Sequence, residues 1–172
     1  EQPETPEFTL PENAVEVTPT GNSKGSNIYT ISGNKVTISG MNSQSDKWGR
    51  WDFANATEQY AKIVVVLKGT GFALGMKVDT TTPTNNAYDS VKGNKTYKAL
   101  EASGYTVFEW DLAALNIDST KLQKVVFWAY SSTVTEGEFE LVSIYYLPAE
   151  TTEPEQPETP EFTLPENAVE VT

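Results

Sequence analysis

The stretch Asn27-Ile28-Tyr29-Thr30-Ile31-Ser32-Gly33-Asn34-Lys35-Val36-Thr37-Ile38-Ser39 decides the fold class. Two runs rich in β-branched and aromatic residues flank Gly33-Asn34, a dipeptide suited to a two-residue hairpin turn. The register follows from the turn. With Ser32 opposite Lys35, Ile31 faces Val36 and Tyr29 faces Ile38, an apolar stripe on one face. Thr30 faces Thr37 on the other.

Working outward, the same alternation recurs. Ile63–Lys68, Phe72–Asp79, Tyr105–Leu112, Lys124–Tyr130 and Phe139–Leu147 read as strands, with Ala14–Thr18 and Trp48–Phe53 as two more. In Phe72–Asp79, residues Phe72, Leu74, Met76 and Val78 face a core, while Lys77 and Asp79 face water. No segment keeps a helical period over three turns. Seven to nine short strands in about 130 residues predict an all-β fold, a two-sheet antiparallel β-sandwich or jelly roll.

Composition removes several chemistries together. The 172 residues include no cysteine and no histidine. Disulfides, thiol nucleophiles, zinc sites built on sulfur and imidazole, and serine–histidine triads are therefore out of reach. The net charge of −12 comes from the ends. Residues 1–18 carry five glutamates and residues 149–172 carry seven, with no lysine or arginine in either stretch. Residues 19–148 balance 12 acids against 12 bases, so the body is neutral. Without a basic stripe, neither nucleic acid nor an anionic membrane is an expected partner. Uninterrupted apolar runs such as Ile63 to Leu67 are too short to span a bilayer. The opening Glu1-Gln2-Pro3-Glu4 has neither the basic nor the apolar part of a signal peptide, and it reads as the edge of an excised piece.

An identical segment frames the chain: EQPETPEFTLPENAVEVT at residues 1–18 returns at residues 155–172. A repeat this faithful indicates a tandem array in which the next copy has begun. Residues 150–161 are rich in Pro, Glu and Thr and hold no apolar side chain between Ala149 and Phe162, which is linker chemistry. The expected organisation is a linker over residues 1–11 and a module over 12–148. Residues 149–172 would then hold a Pro/Glu/Thr linker and the start of the next copy. The amino-terminal Ala14–Thr18 is expected to occupy the sheet, and its copy at 168–172 to be disordered.

Four tryptophans and eight tyrosines are more than a core of this size needs. Along β-strand Lys124–Tyr130, Val125, Phe127 and Ala129 share one face. Lys124, Val126, Trp128 and Tyr130 share the other, which should be the wetter one. That places Trp128 and Tyr130 together on an open sheet surface. Trp110 alternates with Phe108 and Leu112 and reads as core. In Lys47-Trp48-Gly49-Arg50-Trp51-Asp52-Phe53, Trp51 is the better core candidate, and Trp48 beside Arg50 reads as a platform with a polar neighbour. Aromatic platforms with interspersed polar groups suit the C–H faces and hydroxyls of sugars. They also suit protein partners, where Trp, Tyr and Arg dominate hot spots.

Catalysis would have to rest on carboxylates. A glycosidase needs two at a set separation. Asp46, Asp52, Asp79, Asp89, Glu109 and Asp111 supply candidates at the density of ordinary solubilising acids. Residues 68–75 carry glycines at the wrong spacing for a nucleotide loop and read as a turn between strands. No cofactor is expected. A structural calcium held by loop carboxylates and carbonyls stays open, although no EF-hand-like run is present.

The order of these features resembles the jelly-roll carbohydrate-binding modules of bacterial plant-cell-wall hydrolases. It is nearest to family 65, over about residues 12–148. The resemblance rests on Trp48-Gly49-Arg50-Trp51-Asp52-Phe53, on Gln59 to Gly69, on Tyr105 to Leu112 and on Gly137 to Tyr146. It implies a cleft on the concave sheet for β-1,4-glucan, mixed-linkage β-glucan or xyloglucan. Stacking would fall to Trp48, Trp128, Tyr130 and Trp51, and polar contacts to Arg50, Lys77, Asp79 and Gln123. It further implies a non-catalytic, extracellular module of a larger bacterial protein, with polysaccharide, a tethered glycoside hydrolase and a further tandem module as partners. The alternative is a structural or adhesive repeat of a surface protein. Such a stalk would bury or lack aromatics on the open sheet, where a binding module would present them.

Overall fold

The structure, a computed structural model, describes residues 6–43, 47–80, 94–102 and 104–150. Asp46, Asp89, the linker from residue 151 onward and the carboxy-terminal copy of the repeat lie outside the described residues.

Eleven strands are found among the described residues: β1 (Val15–Glu16), β2 (Pro19–Lys24), β3 (Tyr29–Ser32), β4 (Lys35–Ser39), β5 (Gly49–Phe53), β6 (Lys62–Gly69), β7 (Ala73–Thr80), β8 (Thr96–Ala99), β9 (Tyr105–Asp111), β10 (Leu122–Tyr130) and β11 (Glu136–Leu147). The first sheet has the order β3-β4-β11-β6-β9, with β1 also paired to β11. The second has the order β2-β5-β10-β7-β8. All pairings are antiparallel, and four of them nest early strands against late ones: β4 with β11, β5 with β10, β6 with β9 and β7 with β8. That nesting of early strands against late ones is a jelly roll, as expected.

The hairpin has the expected register, with Ser32 opposite Lys35, Ile31 opposite Val36 and Tyr29 opposite Ile38. Gly33 sits at φ 60°, the left-handed value that a primed hairpin turn requires. Two strands were not foreseen. Residues 19–24 read as a connection yet form edge strand β2 along β5, and Thr96–Ala99 forms edge strand β8 along β7. Both are short and largely polar, so neither shows a period-two hydrophobic signal.

The core between the sheets is aromatic. Trp51 lies 4.8 Å from Phe127 and 6.0 Å from Phe139 between ring centroids, and Tyr29 meets Phe127 edge-on at 5.5 Å. The Trp51 indole donates to the carbonyl of Gly33 at 3.1 Å, and that of Trp110 donates to the carbonyl of Asn94 at 2.6 Å. Trp110 is core, as expected. The Tyr29 hydroxyl donates to the Lys47 carbonyl and accepts from the Ala129 N–H, both at 2.8 Å. Burial pushes this phenol up to about 12, and the Ala129 N–H offsets only part of the shift.

The outer face of the first sheet is not bare. Phe8, Leu10 and Ala14 pack on Val64, Val66 and Tyr145, so the packed chain starts upstream of the expected boundary at Glu12. The single helical element among the described residues is a 3-10 turn, Ser119–Lys121, capped by Asp118. Hydrogen bonds from Thr120 hold the Asp118 carboxyl below its ordinary range.

Candidate functional site

The candidate site is the outer face of the second sheet. Along β10, Val125, Phe127 and Ala129 enter the core, and Val126, Trp128 and Tyr130 turn away from it. Along β7, Leu74, Met76 and Val78 are core, leaving Gly75, Lys77 and Asp79 outward. On β5, Trp51 and Phe53 are core and Arg50 and Asp52 are outward. Register then sets the neighbours on this face. Trp128 stands beside Gly75, and Gly75 beside Tyr97; Lys77 and Arg50 flank Val126; Asp79 and Asp52 flank Lys124.

The aromatic end gathers three rings. Tyr97, 53% exposed, meets Trp128 edge-on at 5.7 Å and Tyr130 at 6.0 Å. Sequence reading missed Tyr97. Its strand follows a long polar segment and is too short to show which face the ring takes. Trp48 adjoins Gly49, its indole lying against Gly25, where a Cβ would collide with the ring. The Arg50 guanidinium stands 5.6 Å from the Trp48 ring centroid, a cation–π distance. Arg50 Nε also lies 3.0 Å from an Asp52 carboxylate oxygen, with both side chains about one-third exposed. Trp48, Arg50 and Tyr130 are thus half-buried and within a ligand's reach.

Five expected contacts are placed differently. Trp51 is 1% exposed and sealed between the sheets, so it cannot meet a ligand. Trp128 does face away from the core, but it is not open: it is 6% exposed. Lys77 and Asp79 do not face water; they are buried and form an ion pair at 3.3 Å. Period-two alternation assigns a side chain to a face and carries no information on whether that face is covered. Gln123 sits at a bulge in β10 and donates to the Asn55 side chain at 2.7 Å. That is five positions along the strand from Trp128, roughly 16 Å at strand rise. It does not join the aromatic group.

The Trp128 indole N–H is buried and has no hydrogen-bond partner among the described residues. An unmet donor of this kind costs about 1–3 kcal/mol. Among the described residues no three carboxylates gather. No helix among them is long and apolar enough to cross a membrane.

No family model matches the chain, and no curated protein matches it. Solved structures do resemble it. One is the Endo-D glycoside hydrolase domain from Streptococcus pneumoniae R6, at TM-score 0.49 and 18% identity over 73% of this chain. This chain spans only 21% of that one. The low-affinity xylan-binding module CBM86 from Roseburia intestinalis resembles it at TM-score 0.46 and 10% identity, covering 76% of this chain and 88% of that one. A family 11 carbohydrate-binding module from Clostridium thermocellum, in complex with a β-1,3-1,4-mixed-linked tetrasaccharide, does so at TM-score 0.42 and 12% identity, covering 83% and 92%.

Proposed function

We propose that this chain is a non-catalytic glycan-binding module whose ligand lies across the outer face of the second sheet. The observation that carries the reading is the grouping of Tyr97, Trp128 and Tyr130, with Trp48 under Arg50 on the neighbouring strand. Tyr97 and Trp48 offer ring surface to sugar C–H faces, while Arg50, Asp52 and Lys124 offer hydrogen bonds to hydroxyls. Plant cell-wall β-glucans, whether β-1,4, mixed-linkage or xyloglucan, are the proposed ligands. The biological role is to hold a linked glycoside hydrolase near its polysaccharide outside the cell, with tandem copies raising avidity.

Affinity electrophoresis tests this directly, with xyloglucan, barley β-glucan, hydroxyethylcellulose, xylan, galactomannan and starch in separate gels. Retardation in the β-glucan gels that is lost in Tyr97→Ala supports the reading. Equal mobility in all six gels removes it.

A second reading keeps one specific observation on its side. The largest ring of the group, Trp128, is buried rather than presented, as in a structural or adhesive repeat without a sugar site. A chain that leaves all six gels unretarded while melting cooperatively fits that role.

A further inference from the structure

The amino-terminal segment is a packed strap, and its sequence occurs twice in this chain. Phe8 lies 5.7 Å from Tyr105 and 6.3 Å from Tyr145 between ring centroids, and its N–H donates to the Tyr105 hydroxyl at 3.1 Å. Leu10 and Ala14 continue the contact over Val64, Val66 and Tyr145. The chain then turns at Asn13, φ 65°, and pairs Val15 with Tyr146 and Glu16 with Tyr145 on β11. The Val17 N–H donates to the Ile144 carbonyl at 2.7 Å. The groove on the outer face of the first sheet therefore reads the sequence Glu-Phe-Thr-Leu-Pro-Glu-Asn-Ala-Val-Glu-Val-Thr, residues 7–18. Residues 161–172 repeat that sequence without a change.

We infer that residues 161–172 of the same chain are an alternative occupant of this groove. Each contact that seats residues 7–18 is available to them, because the side chains are the same. Reach is not limiting. The chain leaves β11 through Pro148–Glu150 beside Glu12 and Asn13, with which those residues line one shared cavity. It is thus delivered to the rim of the groove. The ten residues 151–160 extend to roughly 33 Å at full stretch. Phe8 lies over the β9, β6 and β11 strands, only about two strand spacings, roughly 10 Å, across the sheet. An antiparallel return onto β11 has the sense of an ordinary hairpin, and loop closure grows only logarithmically with length. Residues 7–18 hold the groove first, since Thr18 runs directly into β2. The second copy takes over when the first is weakened. In an array, each strap would then stand between two equivalent grooves, that of the module before it and that of its own.

The inference is independent of glycan binding, because this groove and the aromatic face belong to different sheets. The test uses the full chain. One variant carries Phe8→Ala with Leu10→Ala, a second carries Phe162→Ala with Leu164→Ala, and a third carries all four changes. Melting is followed at protein concentrations from micromolar to a hundred times higher. The second variant should melt with the parent. The first should lose no more than about 2 °C, and the fourfold variant about 6–10 °C, a cost greater than the two pairs summed. Equal melting of the first and fourfold variants would overturn the inference, because the second copy would then rescue nothing. So would a fourfold variant that melts with the parent. Rescue that grows with concentration and sediments as dimers or chains would make the occupant a second molecule, and would overturn the intramolecular seat.

Discussion

The Trp128 indole lies flat on Gly75, its partner across the β10–β7 ladder; a Cβ at position 75 would collide with ring atoms Cε2 and Nε1. The bare backbone of Gly75 is what allows a tryptophan on the outer face of a sheet to lie down and be buried. Gly75→Ala should therefore lift or tilt the ring, at a cost of about 1–3 kcal/mol of stability as overpacking does. Tryptophan fluorescence should shift to the red as the ring meets water. An unshifted spectrum with unchanged melting would show that the ring has room to move aside.

Burial also sets what Trp128→Ala does. Open platform rings can be removed at little structural cost, but this one is 6% exposed. Truncation should cost about 3 kcal/mol or more in denaturant melts, toward the range of buried aromatic truncations. Trp110→Ala and Trp51→Ala, both in the core, should cost about 3–5 kcal/mol each.

Tyr97→Ala separates recognition from folding. The ring is more than half exposed and sits on an edge strand, so chemical denaturation should change by no more than about 0.5 kcal/mol. Affinity for β-glucan should fall by roughly tenfold or more, corresponding to about 1–3 kcal/mol for one stacked ring. Retained affinity in gels and calorimetry would move the site off this face.

Lys77 and Asp79 are a buried ion pair, and breaking it from one side should be worse than removing it from both. Asp79→Leu alone removes the carboxylate that stands 3.3 Å from a buried ammonium and should cost about 3–5 kcal/mol. Lys77→Met together with Asp79→Leu should recover a large part of that loss in urea titrations. Equal instability of the single and double variants would show that the two residues act through other partners.

The pH profile of stability should bend on the alkaline side. Tyr29 titrates near 10 when unfolded and at about 12 in the folded protein. Below pH 10 the phenol is neutral in both states and its contribution is complete. Between about 10 and 12 the unfolded chain releases the proton and the folded chain does not, so stability falls as pH rises, by about 2–3 kcal/mol in all. Tyr146, also raised by burial, acts in the same direction. With no histidine, melting between about pH 5 and 9 should be flat. Tyr29→Phe should flatten the alkaline limb while lowering stability at neutral pH, because it strands the Lys47 carbonyl and the Ala129 N–H.

Much of the fold was legible where the signal is local. The Gly33-Asn34 turn and its flanking residues specify a register that the structure keeps pair for pair. The alternation at Leu74, Met76 and Val78, and at Phe108 and Trp110, names the core faces of two strands correctly. The edge strands Pro19–Lys24 and Thr96–Ala99 left no such trace, because their side chains are mostly solvated and their pairing is made by backbone. The strap at Phe8–Ala14 was equally hidden. Its few apolar residues lie among prolines and glutamates, and only the outward-facing Val64, Val66 and Tyr145 of the first sheet, which they cover, show what they are for.

By itself, then, the sequence determined the all-β sandwich, the hairpin register and the two faces of each long strand. Each of these is written in the spacing of neighbouring residues. Tertiary structure decided which outward residues stay wet. Lys77, Asp79 and Trp128 all point away from the core, as their spacing requires, and all are nonetheless buried. Tyr97, from a strand the spacing did not reveal, is the ring left exposed beside them. Alternation orients a side chain relative to its own strand. Its solvation depends on segments far away in the chain, and no local period encodes those.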